Sequence, residues 1–381
     1  MIHQLEGNLY VELRINGLPV PDVGNFYEHM IMTEGNGQLV PSCKITLHDE
    51  ASLLVDELSL TEANRFSITV GVNGSSLLYT RNYRLFGNQN KNPYQGPRIH
   101  AVGILDVPNF YAENATAFYE GTSDAAMAKL AGEGGLKYSG PQGGTNDRQD
   151  TWLLVTKTRA AYMNEIARHG WVNDLSFMGA GVTSLGELRY KNITDVFRGG
   201  PKAKLVHNRK EEGALTVKDA KDASTAGMSD TWGNYGMKRR EHKLNGEHIT
   251  HKSMPVAKTS PWLPVNADVS GKVNKRSRMD YMLLDCQNQH DKYWQAYYQN
   301  QRKMALISEK MSVLITYPTP LQLFDLVTYK QANAVDTKDV KQTDLYMVLG
   351  KSVVIKGGTH YAERIELGRY TLTKNGNTPL E

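Results

Sequence analysis

Apolar and polar residues alternate in five short runs through the first 105 residues of the chain. This two-residue period is typical of strands that bury one face. The runs cover residues 9–15, 43–47, 66–72, 77–86 and 99–105. Asn16-Gly17 and Asn73-Gly74 follow two of them and predict tight hairpin turns. We expect a mainly antiparallel sheet or barrel over residues 1–111, with one short helix at 51–58.

The pattern becomes mixed between residues 112 and 198. Residues 124–131 predict a short helix that Ser123 caps, and residues 154–169 predict a second helix that ends at Gly170. The sequence Gly-Ala-Gly at 179–181 is typical of a turn. This segment is therefore expected to form a small α/β insert.

Residues 199–263 are polar and weakly patterned, apart from one expected strand at 203–207. Such a segment is too poor in apolar residues to form a core of its own. Residues 280–307 recover a helical pattern of apolar and aromatic positions. The polar stretch is therefore expected to be either an extended arm packed on another surface or a mobile loop.

The last strands are predicted between residues 311 and 373, where short β-branched and aromatic runs are bounded by Gly, Pro and Asp. Ile365 and Leu367 share one face of the final strand, whereas Tyr370 and Leu372 have the opposite parity. The phase changes at Gly368, which predicts a β-bulge or a tight bend there. This region is expected to be part of a small, strongly curved sheet, in which a turn-rich break through Asp325 separates the first strand from the second.

Composition agrees with a folded protein of two or three domains. The 381 residues carry 44 Lys and Arg against 40 Asp and Glu, a net charge of +4 that is too small to indicate nucleic-acid binding. Cys43 and Cys286 are expected to stay reduced. No apolar run is long enough to span a membrane, and no signal peptide is recognisable, so neither Sec-type export nor stable membrane association is expected.

Three histidines give the most suggestive cluster for chemistry. His242, His248 and His251 could supply imidazoles to a metal ion, but Gly246 interrupts the cluster and no framing helix is predicted. We regard them as weak metal candidates and favour a solvated or interface loop. The glycines at 132–144 match no phosphate-binding loop, and no nucleophile elbow is present. No catalytic residue and no cofactor are predicted.

Two further groups of charged residues could suggest a functional site, and for both we favour an ordinary position on the protein surface. Glu165, Asp174 and Glu187 could be proposed as glycosidase carboxylates, but surface acids are the simpler explanation. The basic triplet 238–240 lacks interleaved aromatic residues, which makes it more typical of a solvated face than of a phosphate site.

The order of these elements resembles a known family. The stretches that carry the resemblance are LQLFDLVTY at 321–329, the strand 346–354 with HYAERIEL at 360–367, DAAMAKLAGEGGL at 124–136, and residues 149–171. They are similar to elements of the trimeric baseplate hub of T-even-type phages, of phage late-control tail proteins and of the type VI secretion spike hub. The chain departs from this pattern at Phe324-Asp325, where many relatives have Pro-Gly.

The resemblance implies a scaffold with two tail-tube-like antiparallel β-barrels and α+β insertions. The first barrel would be 1–111 and the second would combine 199–236 with 305–374. The insert 112–198, the excursion 237–304 and the tail 375–381 complete the chain. Gly368, Asp325, Ile365 and Leu367 would be structural residues of the second barrel.

The resemblance further implies a homotrimeric symmetry adaptor in the virion baseplate, assembled in the host cytoplasm. Its partners would be itself, the hexameric tail tube protein, the central spike or tip protein and other baseplate proteins, with DNA only passing through its lumen. A tail-associated peptidoglycan hydrolase and a carbohydrate-binding tail-tip protein stay as alternatives. No further stretch of about 150 residues is left for a hydrolase domain.

Overall fold

A computed structural model of the chain gives the architecture. It describes residues 9–20, 27–35, 39–49, 64–72, 78–90, 98–108, 110–111, 115–173, 176–222, 238–245, 248–255, 281–282, 289–293, 296–297, 299–300, 307, 309–330, 344–357 and 360–369. The helix expected at 51–58, the turn at 73–74 and Cys286 lie outside these residues. Within the described part, no helix is long and apolar enough to cross a membrane.

The N-terminal part is an antiparallel sheet of seven strands. They are β1 Leu9–Ile15, β2 Leu18–Pro19, β3 Tyr27–Gly35, β4 Ser42–His48, β5 Arg65–Val72, β6 Tyr79–Asn90 and β7 Arg98–Leu105. Their order in the sheet is β2, β1, β5, β6, β7, β4, β3. This path is open among the described strands, so closure of a first barrel stays a prediction.

The predicted alternation explains how these strands face the core. Phe66, Ile68 and Val70 are buried along β5, whereas Arg65, the first residue of this strand, is exposed. Asn16 and Gly17 both have positive φ, at 50° and 85°, and join β1 to β2 in the two-residue turn that an Asn-Gly pair favours. The sequence interpretation missed β3, because its apolar residues stand among His, Thr and Glu.

The insert contains five strands and three helices among its described residues. In chain order they are β8 Ala115–Gly121, α1 Ser123–Glu133, β9 Lys137–Ser139, β10 Gln149–Lys157, α2 Arg159–His169, β11 Met178–Val182, β12 Glu187–Asn192 and α3 Ile193–Arg198. Strands β8 and β10 form a two-stranded sheet, and β11, β12 and β9 form a three-stranded sheet. Both longer helices bury their apolar stripes in the same core as the N-terminal sheet.

Three local predictions in the insert are wrong. Helix α2 begins at Arg159 and not at 154, because residues 154–157 belong to β10 and Thr158 caps the helix by accepting from Ala161 N at 3.2 Å. Thr122, and not Ser123, caps α1. Gly179, Ala180 and Gly181 lie in strand β11, where Cβ atoms added to the two glycines would collide with neighbouring side chains.

The second half begins with short strands and a hairpin. These strands are β13 Ala203–His207, β14 Ala214–Val217, β15 Asp219–Asp222, β16 Lys238–Asn245, β17 His248–Pro255 and β18 Tyr281–Met282. The strand expected at 203–207 is confirmed as β13. The loop expected around 241–251 is wrong, because β16 and β17 pair as an antiparallel hairpin with β18 beside β16. The predicted helix 280–307 is replaced by β18 at its start, and residues 293, 296–297 and 299–300 are helical.

The closing strands are β19 Glu309–Ile315, β20 Leu326–Lys330, β21 Asp344–Lys356 and β22 His360–Arg369. Pairing runs from β14 through β13, β20, β21, β22 and β19 to β15. Since Lys218 alone separates β14 from β15, one bent stretch of chain supplies both ends of this path. The sheet therefore curls around its own cluster of buried residues, which includes Leu205, Val313 and Ile365.

The two sheets are continuous through one pair of strands. Strand β21 pairs with β20 near its beginning and with β3 over its second half, from Gly350 opposite Gly35 to Lys356 opposite His29. The seven N-terminal strands and the seven strands of the curled sheet consequently form a single sheet of fourteen strands. The mainly β architecture with α+β insertions that the sequence predicted is confirmed, and its pairs are mostly antiparallel.

Candidate functional site

Three of the predicted structural residues lie together in β22. Ile365 and Leu367 are fully buried inside the curled sheet, as the alternation requires. Gly368 is buried as well, but it pairs in register with Lys310 and with Met347. The register shift lies in β21 between Val348 and Gly350, so the bulge predicted at Gly368 is wrong. Tyr370 and Leu372, on which the predicted phase change depends, lie outside the described residues, and Gly368 itself is closely packed.

Asp325, the fourth predicted structural residue, links the insert to the curled sheet. Its carboxylate accepts from Arg189 Nη1 at 2.8 Å, from Lys202 Nζ at 2.8 Å and from the backbone N of Gln322 at 2.9 Å. Arg189 Nη1 also donates to the carbonyl of Leu323 at 2.7 Å. Burial lowers the pKa of Arg189, but the Asp325 and Glu187 carboxylates outweigh it and raise that pKa. Asp325 therefore holds β12 of the insert against the start of β20.

A buried group of charges lies close to the strands that join the two sheets. Glu363 is 1% exposed and accepts from the backbone N of Thr319 at 3.2 Å, from the Thr319 hydroxyl and from Tyr361 Oη at 2.6 Å. Lys351 Nζ lies 3.8 Å from Glu363 Oε1 and donates to the carbonyl of Leu321 at 2.7 Å. Because these polar atoms have partners, the group specifies one arrangement of the strands.

Arg81 of β6 and Glu34 of β3 extend this group into the N-terminal sheet. Both side chains are almost fully buried. Burial lowers the pKa of Arg81, but Tyr83, Tyr361, Glu34 and Glu363 outweigh it and raise that pKa. Glu34 Oε2 accepts from the backbone N of Ser184 at 2.7 Å. Two cations and two anions thus meet where both sheets and the insert come together.

Sequence reasoning missed these buried charges, although a signal was present. Arg81 has the same strand parity as the buried Tyr83 and Leu85, and Glu363 has the parity of Ile365 and Leu367. A charge on the buried parity of an alternating run is expected to have partners in the core. The partners themselves could not be named, since they lie on distant strands.

The insert is held by a buried carboxylate. Asp147 accepts from the backbone N of Ser123 at 2.9 Å, from the Ser123 hydroxyl at 2.5 Å and from the backbone N of Trp171 at 2.7 Å. Tyr190 Oη lies 2.9 Å from Ser123 Oγ. Ser123 therefore fixes the loop before β10 to the start of α1, which explains why the neighbouring Thr122 provides the helix cap.

A cleft of about 740 Å³ opens beside this group. Arg148, Asp150, Asp291 and Lys292 are among its lining residues, with Trp171 in its wall. Its described lining therefore combines two carboxylates with two basic side chains and does not present charge of a single sign.

The helical residues after position 289 cover the insert. The rings of His169 and Tyr293 stack at 3.6 Å between centroids, and the backbone N of His290 donates to Gln149 Oε1 at 3.3 Å. Asn300 Nδ2 donates to the carbonyls of Arg168 and Gly170, each at 2.9 Å. Part of the excursion therefore packs on the same chain, at the end of α2.

The other candidates for chemistry do not converge. Glu187 pairs with Arg189 at 2.8 Å, Glu165 lies on α2, and Asp174 falls outside the described residues. The basic triplet 238–240 is part of β16.

The histidines lie on the β16–β17 hairpin. His242 is directly opposite His251, and His248 is opposite Asn245. Only the backbone is described there, and positions 248 and 251 have opposite strand parity. The metal site at these histidines stays a prediction.

Several large apolar side chains are exposed at positions that the sequence interpretation did not identify. Phe118 and Leu153 lie together at one place, and Phe86 has the largest exposed fraction; Leu18, Leu78 and Tyr111 are exposed as well. The signal was a pair of adjacent apolar residues within a strand, as in Phe118-Tyr119 and Trp152-Leu153, because such a pair places one side chain on each face. Exposed apolar surface of this kind marks interaction sites.

No protein family description and no curated protein sequence matches this chain. Solved structures do. The tail protein from Neisseria meningitidis MC58 aligns over 97% of this chain and 99% of its own, with a TM-score of 0.56 and 9% identity. The 43 kDa tail protein of prophage MuSo2 from Shewanella oneidensis aligns over 94% of this chain and 98% of its own, with a TM-score of 0.53 and 9% identity.

The chain has the fold of these phage tail proteins. The same fold extends to the c3393 protein of Escherichia coli, a component of the type VI secretion system that is described as structurally similar to the T4 tail proteins gp27 and gp5. It aligns over 94% of this chain and 77% of its own, with a TM-score of 0.52 and 8% identity. The predicted resemblance to phage tail and type VI spike-related proteins is confirmed at the level of the fold.

Proposed function

We propose that this protein is the structural hub of a bacteriophage baseplate. It acts as a homotrimeric adaptor that joins the hexameric tail tube to the trimeric central spike or tip and surrounds the DNA channel. The observation that carries the proposal is the similarity of fold over almost the entire chain to phage tail proteins. A likeness that covers both chains end to end argues for a shared architecture and not for one borrowed module.

The mechanism of the adaptor is geometric. Each chain would contribute two tube-like units, 1–111 and 199–236 with 305–374, so that three chains offer six similar units to a hexameric ring. The continuous pairing of β21 with β3 supports this role, because it sets the two sheets in one fixed arrangement. The insert 112–198 and the excursion 237–304 would then lie outside the ring.

The proposed partners follow from this geometry. They are the chain itself, the tail tube protein, the central spike or tip protein and other baseplate proteins, within a virion assembled in the host cytoplasm. DNA would pass through the lumen without being held, since a net charge of +4 over 381 residues provides little phosphate affinity. Neither membrane association, a catalytic site nor a cofactor forms part of the proposal.

The alternatives receive less support. A carbohydrate-binding tail tip would be favoured by a tyrosine-lined pocket, and the cleft at Trp171 has no tyrosine among the described residues of its wall. A peptidoglycan hydrolase would be favoured by paired carboxylates facing a cleft. Asp150 and Asp291 do line the cleft, but they share its wall with Arg148 and Lys292, and Glu187 is engaged by Arg189.

The first test is the mass of the purified protein in solution, by light scattering coupled to size exclusion. We expect three times the chain mass of 42.6 kDa. Negative-stain images should then show a three-fold ring with a central opening. A monomer at every concentration up to about 100 μM, where obligate oligomers are normally assembled, would contradict the proposal.

A further inference from the structure

The outer face of the β8–β10 sheet exposes an apolar pair. Phe118 and Leu153 are directly opposite each other in the register, and they are 60% and 55% exposed. On the inner face the neighbouring pair, Tyr119 and Trp152, is almost fully buried. The sheet thus presents large apolar side chains on both faces, although only the inner one has a core to cover it.

Carboxylates accompany this apolar pair. Glu120 follows Phe118 by two residues on β8, and Asp150 lies on β10, and both are exposed. We name Phe118, Glu120, Asp150 and Leu153 the acidic patch.

A second exposed patch has the opposite charge. Phe86 on β6 is 70% exposed and sits at a register shift between Leu85 and Gly87. Arg84 of β6 is directly opposite Arg65 of β5, and about half or more of each side chain is exposed. We name Arg65, Arg84 and Phe86 the basic patch.

The basic patch keeps a positive charge within its own chain. Arg65 and Arg84 both contact one carboxylate, that of Asp106, at 2.7 Å and 3.1 Å. The Asp106 side chain is only 10% exposed, so among the described residues the two guanidinium groups outnumber the one carboxylate that they contact. Arg and Phe are also residue types that interface cores favour.

We propose that the acidic patch of one copy of this chain contacts the basic patch of the next copy. This inference rests on the proposed homotrimer and names the surfaces that form it. Opposite charges would orient the approach and the aromatic side chains would supply buried apolar area. A contact between two acidic or two basic patches would bring like charges together, which disfavours a self-paired interface.

The arrangement has a consequence for symmetry. Two different patches make a head-to-tail interface, and such an interface closes into a ring when its rotation is three-fold. Every subunit then uses each patch once, and no apolar pair stays exposed in the ring.

The test uses one variant for each patch and a matched control, all measured by light scattering in the full-length protein. Phe118→Lys disrupts the acidic patch and Phe86→Asp disrupts the basic patch. Leu78→Asp is the control, because Leu78 is an exposed apolar residue at the other end of β6. We expect each patch variant to raise the concentration for half-assembly by about 100-fold, as for loss of an interface hot spot, and the control to leave it unchanged.

Mixing the two variants separates a head-to-tail interface from other arrangements. Each variant retains the patch that the other has lost, so an equimolar mixture should form one junction and stop at a heterodimer. Circular dichroism confirms that each variant is folded. Trimers that persist in both patch variants would overturn this inference while leaving the proposed hub in place. A wild-type protein that is monomeric would overturn the hub itself, and the inference with it.

Discussion

Gly368 shows how a single position depends on space and not on backbone angle. It has no positive φ, but a Cβ atom built there would lie 2.5 Å from Leu349 Cδ1 and 2.6 Å from Ile307 Cγ2. Real Cβ atoms do not approach other carbon atoms so closely. Glycine is needed there because β22 passes directly under the bulged residue of β21.

The prediction at the residue scale is that Gly368→Val destabilises the protein. The added side chain would have to displace the Leu349 and Ile307 side chains, and overpacking of this kind typically costs about 1–3 kcal/mol in the free energy of unfolding. Chemical denaturation followed by circular dichroism measures the change.

Gly200→Val is the matched control for that substitution. Nothing lies within 4 Å of a Cβ at Gly200, and its φ is not positive. Equal stability of the two variants would refute a steric role for Gly368.

At the scale of elements, the helical residues after 289 depend on a neutral histidine. Burial lowers the pKa of His290, despite the opposing effect of Asp147 and of the hydrogen bond with the His169 carbonyl. That bond, of 3.0 Å, requires the proton on Nε2, and Nδ1 is buried without a hydrogen-bond partner in the described part of the chain. A second proton on this ring would therefore be a buried donor without an acceptor.

The resulting prediction concerns pH. In the unfolded chain His290 takes up a proton near its ordinary pKa of 6.5, whereas in the folded chain it does so only at lower pH. Below that value the unfolded state binds more protons, so the free energy of unfolding should fall as the pH decreases. Denaturation between about pH 8 and pH 5, the range in which imidazole titrates, measures the slope.

His290→Gln should reduce this slope, because glutamine does not titrate. The exposed His360 provides the matched variant, His360→Gln. A slope that is the same in His290→Gln and in the wild-type protein would show that other groups are responsible.

At the scale of the whole molecule, the insert is fixed to the curled sheet through one carboxylate. Asp325 binds Arg189 of the insert and Lys202 of the connecting segment, and its own side chain is only 10% exposed. Without Asp325, Arg189 would lose its principal counter-charge, and the Arg189 side chain is itself only 13% exposed.

We predict that Asp325→Ala lowers the free energy of unfolding by about 3 kcal/mol, since it removes a mostly buried ion pair and leaves Arg189 with Glu187 as its remaining counter-charge among the described residues. Glu12→Ala removes the partner of Arg14 in an exposed pair and should leave the free energy of unfolding almost unchanged. Urea denaturation of both variants makes the comparison. A cost at Asp325 as small as that at Glu12 would show that this ion pair does not stabilise the packing of the insert on the curled sheet.

The sequence by itself determined where most strands of the fourteen-stranded sheet lie and which residues they bury. The alternation in β1, β5 and β22 is local information, because side chains of a strand alternate between faces whatever the strand pairs with. The Asn16-Gly17 turn is equally local. The short sequence stretches that resemble phage hubs likewise led to the correct fold.

Only the tertiary structure decided what each strand meets. Residues 154–157 could extend a helix or a strand, and pairing with β8 made them a strand. The joint between β3 and β21 brings Gly35 opposite Gly350, and the partners of Glu363 come from separate segments of the chain. The two-residue period shows which face of a strand becomes buried. Which distant strand it pairs with depends on the packing and hydrogen bonding of the whole core, and no local sequence pattern contains that information.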